Sequence, residues 1–100
     1  MKPIVIHRQA KAELAEAVGY YEQRKPGLGQ DFLAVVERAV LQIQRNPQLG
    51  APYKSTKFRH CVVRRFPYVV FYVDLDEAMW VIAVAHAKRR PDYWRRRRIQ

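Results

Sequence analysis

One hundred residues, 49% of them hydrophobic, is enough chain for one domain with a modest core, and it argues against disorder throughout. No apolar run approaches the ~18 residues that a membrane span needs, and the opening MKPIVIHRQAK lacks the apolar core and cleavage site of a signal peptide. The formal net charge of +10 is uneven, with +2 on residues 1–50 and +8 on residues 51–100, a field suited to nucleic acid, ribosome or an acidic protein.

A soluble cytoplasmic protein with no membrane partner is therefore expected. The single cysteine, Cys61, cannot close an intrachain disulfide, which agrees with a reducing compartment. With only His60 nearby in sequence to activate it, Cys61 reads as a small core residue rather than a nucleophile.

Taken in order, Lys2 to His7 carries the short apolar run Ile4-Val5-Ile6 and fits a first strand. From Gln9 the period becomes helical, with Ala10, Leu14, Ala17, Val18 and Tyr21 on one stripe and Lys11, Glu13, Glu16 and Glu22 on other faces, to about Arg24. Lys25-Pro26-Gly27-Leu28-Gly29 breaks that helix. A second follows on the stripe Phe32, Val36, Ala39, Val40 and Ile43 and should end at Asn46, because Pro47 disfavours helix in the residue before it. Two helices joined by so short a loop pack antiparallel.

Gln48 to Lys57 is read as a loop, and Phe58 to Arg64 as a strand with His60, Val62 and Arg64 on one face and Arg59, Cys61 and Val63 on the other. Phe66-Pro67 turns the chain into Tyr68–Val73. Asp74-Leu75-Asp76-Glu77 then connects to Met79–Ala85, apolar at nearly every position and so expected to be central. The Asp92-Tyr93-Trp94 segment is expected as a short helical turn or a cover lying across the sheet, and Arg95–Arg98 as a mobile tail. The expected fold is α+β in the order β-α-α-β-β-β, with a helical hairpin on one face of a small, mostly antiparallel sheet. Residues 1–94 form the one domain and 95–100 a basic C-terminal tail, with the second sheet face or its C-terminal edge left for function.

Two blocks are specific: the turn Arg65-Phe66-Pro67-Tyr68 with its strand Val69-Val70-Phe71-Tyr72, and the ending Ala83-Val84-Ala85-His86-Ala87-Lys88-Arg89-Arg90-Pro91-Asp92-Tyr93-Trp94. In these and in its element order, nearly the whole chain resembles the RelE/ParE superfamily of toxins from type II toxin–antitoxin modules. The resemblance implies a growth inhibitor neutralised by a cognate antitoxin whose C-terminal segment wraps around it. Its branches differ in target: RelE-like members cut mRNA in the ribosomal A site without a metal, and ParE-like members poison DNA gyrase.

Metal-free RNA cleavage needs a group to activate the ribose 2′-OH, a proton donor to the leaving oxygen, and cations for the phosphate. His86, Arg89 and Tyr93 are the catalytic candidates if the chain is a nuclease. Arg64, Lys88, Arg89, Arg90 and Trp94 are the candidates for binding nucleic acid or another target, with Tyr93 or Trp94 stacking on a base. His86 has an equally good structural reading as a strand-end residue donating to a carbonyl. Trp94 reads more readily as cover over an open core edge, and Arg89 is the preferred functional residue. Lys54 and Lys57 could supply further positive charge.

No metal-ligand cluster and no Gly-rich phosphate loop stands in the sequence, so no cofactor is expected. The His-ended strand within Ala-His-Ala-Lys-Arg-Arg, together with the incomplete nuclease constellation, favours a ParE-like inhibitor over a RelE-like endonuclease. A non-enzymatic basic nucleic-acid-binding module is the further alternative. An acidic, amphipathic antitoxin segment that folds on binding is the expected partner, in a toxin–antitoxin hetero-oligomer.

Overall fold

The computed structural model describes residues 1–99. The elements are β1 (Ile4–Ile6), α1 (Arg8–Arg24), α2 (Leu28–Arg45), β2 (Ala51–Pro52), β3 (Arg59–Val62), β4 (Tyr68–Asp74) and β5 (Met79–His86). They form one sheet in the order β1-β5-β4-β3-β2, with β1 parallel to β5 and every other pair antiparallel. The α+β architecture is as expected, with one strand more, because β2 lies inside the stretch read as a loop.

Local chemistry sets the helix limits. His7 caps α1 by accepting the Gln9 N–H at Nδ1, 3.0 Å away. Gly27, with φ of 90°, makes the left-handed turn between the helices. The Glu22 carboxylate then accepts the N–H groups of Gly27 and Gly29, at 2.9 and 3.0 Å, so a charge from α1 satisfies orphan donors at the start of α2. α2 stops at Arg45, with Asn46 as its cap just before Pro47.

β2 has a tertiary cause. The Tyr72 hydroxyl donates to Pro47 O (2.7 Å) and accepts from Gly50 N–H (2.9 Å), while Arg59 donates to Gly50 O (2.7 Å). These bonds hold the loop against β3, so that Ala51 and Pro52 pair with His60 and Arg59. A proline is tolerated there because β2 is an edge strand.

The sheet carries apolar residues on both faces. Phe32, Val36 and Ile43 of α2 and Ala10 and Ala17 of α1 pack on Val70, Tyr72, Met79, Val81 and Val84. On the other face Phe71, Val73, Ile82, Ala83 and Ala85 are covered by Phe58 and Trp94, with Tyr53 and Tyr93 packed against them. The second face is therefore closed by the chain itself, so of the two places expected to be left for function it is the C-terminal edge that is open. A bulge shifts which residues of β5 face each layer. Phe71 pairs with Ala83 and Tyr72 with Val81, which leaves Ile82 as the extra residue, so that Ile82 and Ala83 both face the second layer.

Candidate functional site

β1 ends at Ile6, so beyond Val81 the edge of β5 has no strand beside it. Glu13 closes that gap from α1: its Oε1 accepts the Val84 N–H at 3.0 Å. Arg97 reaches the same place from the C-terminal segment, donating to Ile82 O (2.9 Å) and bidentately to Glu13, at 3.0 Å to Oε1 and 2.7 Å to Oε2. The Tyr93 hydroxyl donates to Glu13 Oε2, and Arg89 lies 3.9 Å from that oxygen with its guanidinium 4.0 Å above the Tyr93 ring.

The electrostatics follow from burial and partners. Burial pushes the Glu13 carboxyl up, but the hydrogen bonds from Arg97, Tyr93 and Val84 N–H outweigh it and hold the group below the usual glutamate range. Burial, and then the bond to Glu13, drives the Tyr93 phenol far above its ordinary value, so Tyr93 stays protonated.

A second clamp holds the turn that follows β5. Tyr53 donates to Asp92 Oδ1 at 2.6 Å and Lys54 to Oδ2 at 3.0 Å, while Asp92 itself has φ of 66°. Lys54, weighed as a source of positive charge, is thus paired. Trp94 sits beneath, with ring centroids 4.4 Å from Phe71 and 4.9 Å from Phe58.

Of the residues predicted for the site, His86, Arg89, Arg90, Tyr93 and Trp94 come together around one cavity of about 200 Å³ at the end of β5. Lys88 is exposed and is not among the residues lining it. Arg64 stands in a separate groove with Arg38, Gln42 and Cys61. His86 Nδ1 accepts the Lys88 N–H at 3.0 Å, and its ring meets Tyr68 edge-on at 5.2 Å. The target-binding role assigned to Trp94 is corrected: at 1% exposure it cannot stack on a base, and covering the core is what it does.

The tail reading is corrected for Arg97. Its side chain is 10% exposed, anchored by Glu13 and the β5 backbone. Glu13 and Arg97 are the residues that sequence reasoning missed. The expectation that Glu13 lies on another face of α1 is corrected: three residues after Ala10 and four before Ala17, it stands on the buried stripe, and that spacing was the signal. Cys61 packs toward the helices while His60 lies against Tyr53 and Phe71 on the other face, and burial raises the thiol pKa. Among the described residues, no three of His, Cys, Asp and Glu gather to hold a metal, and no helix is long and apolar enough to cross a membrane.

Fold and site define a small basic α+β domain that presents a cationic edge beside a helical hairpin. The model of the family described as the ParE toxin of the type II toxin–antitoxin system, parDE, matches residues 4–91. Toxin ParE2 of Mycobacterium tuberculosis, in strains CDC 1551 / Oshkosh and H37Rv, is 30% identical over 88 residues, spanning 87% of this chain and 83% of that protein. In fold, the chain matches one from the chromosomal ParDE system of P. aeruginosa with a TM-score of 0.65 at 17% identity, over 88% of this chain and 98% of that one.

The chain belongs to the ParE toxin family. It is a toxin of ParE type from a type II toxin–antitoxin system, with an antitoxin as its partner. Arg95 to Arg98 fall outside the matched range.

Proposed function

We propose that this toxin acts in the cytoplasm on DNA gyrase, without cutting RNA, and that its antitoxin silences it with an acidic, amphipathic segment that folds across the helical hairpin and the basic edge in a hetero-oligomer. The observation that carries the choice against a nuclease is the commitment of Tyr93 to Glu13. The phenol's one proton is donated to the Glu13 carboxylate, so Tyr93 is not free to act as the proton donor to a leaving oxygen. Arg89 is drawn toward the same carboxylate, Trp94 is withdrawn into the core, and His86 has one ring nitrogen engaged by the Lys88 N–H. Membership of the ParE family supports the same choice.

The test is a supercoiling assay with purified gyrase and the full chain. Inhibition of supercoiling, relieved by the antitoxin, is expected, together with intact mRNA by primer extension shortly after induction in cells. New 5′ ends in phase with codons, lost in Arg89→Ala, would replace this reading with a ribosome-dependent endonuclease.

A further inference from the structure

From Arg89 onward every cation is an arginine, six in all. The fold sorts them. Arg97 is turned inward and neutralised by Glu13, and Arg89 lies along Tyr93 toward the same carboxylate. Arg90, Arg95 and Arg96 are exposed and line one open cleft with Asp92 and Tyr93. The single carboxylate there, Asp92, is held by Tyr53 and Lys54, with Arg95 at 3.8 Å. Among the described residues neither Arg90 nor Arg96 meets an acidic side chain.

We propose that this cleft is a phosphate-backbone interface for duplex DNA, read without regard to base sequence. Like charges are gathered where dispersed lysines would serve solubility equally well, and the guanidinium fork suits phosphate oxygens. The Glu13–Arg97 and Tyr53–Asp92 clamps fix the backbone on which these arginines stand, so little order remains to be imposed on binding.

The lining chooses the partner. A single strand is gripped by aromatic platforms, but Trp94 is buried and the Tyr93 ring lies under the Arg89 guanidinium. The acidic antitoxin segment, which needs apolar anchors, takes them from the helical hairpin and reaches the cleft only at its Arg90 end, because beside Arg95 and Arg96 the lining offers no aliphatic side chain. Phosphates along a duplex need only the cations. The inference stands whether or not gyrase is the target.

The experiment is fluorescence anisotropy of a labelled duplex of about 20 base pairs with the purified full chain across a salt series. Arg95→Glu/Arg96→Glu and the milder Arg95→Gln/Arg96→Gln are compared with Lys25→Glu/Arg45→Glu, an equal charge change at exposed positions on the helical hairpin. The expected result is a loss of about tenfold in affinity for the first double variant, and a salt slope shallower by about 1.8 for either Arg95/Arg96 variant. The control should change both by much less. Equal weakening by the control, no duplex binding by the natural chain, tighter binding of a single strand of the same length, or displacement of the duplex by an equal charge of polyglutamate would each overturn the proposal.

Discussion

Glu13 carries a charge at 13% side-chain exposure, and it survives there because two guanidinium nitrogens, a phenol and a backbone amide share it. Replacing it by glutamine keeps the shape and removes the charge. Arg97, 10% exposed, is then left without its counter-ion, at a cost of about 2–4 kcal/mol. The pH dependence follows from a carboxyl pKa held in the fold below its ordinary 4.5. Its stabilisation is fully present above 4.5 and is lost as the pH falls through the lower folded value. Urea titrations of the natural chain and Glu13→Gln should therefore differ most at neutral pH and converge under strong acid. A constant gap down to the acid limit would show that the charge is not what matters.

At the scale of the element, the helical hairpin depends on one close approach. A Cβ on Gly29 would lie 2.5 Å from the Val18 carbonyl oxygen of α1, whereas one on Gly19 would meet nothing within 4 Å. Both glycines lie in helices, where alanine is intrinsically better by about 0.5–1 kcal/mol. Gly19→Ala should accordingly stabilise by about that much, and Gly29→Ala should destabilise by pushing the helices apart. Thermal melting of the two variants gives opposite signs if the crossing is as described. The helices themselves were legible because their apolar stripes and Pro-Gly breaks are local. β2 was not, since Ala51 and Pro52 have no strand preference of their own and pair only where Tyr72 and Arg59 hold the loop.

For the whole molecule, the second core layer leaves the basic charge at one end of the sheet instead of across its face. The antitoxin should meet that end as well as the hairpin. Arg89→Glu/Arg90→Glu is expected to weaken the complex by about tenfold or more at low salt and by less at high salt. Isothermal titration of toxin with antitoxin reads this, and an unchanged affinity would place the acidic segment elsewhere.

The amino-acid sequence by itself determined the α+β class, the helical hairpin, the strand runs and the toxin superfamily, because periodicity, proline and glycine breaks and the two specific blocks act over short stretches of chain. It also placed His86, Arg89, Arg90, Tyr93 and Trp94 at the end of the last strand. The sequence also favoured Trp94 as cover, whereas the inward turn of Arg97 and the leaning of Arg89 on Tyr93 were decided by tertiary structure alone. Trp94 is buried and Arg97 anchored because the unpaired edge of β5 and its bare second face must be covered, and the groups that cover them come from α1 and the far C-terminal end of the described chain. Burial of apolar surface and of a paired charge depends on what meets in space, over separations of 71 residues for Glu13 and Val84 and 84 for Glu13 and Arg97, and no local pattern records such a meeting.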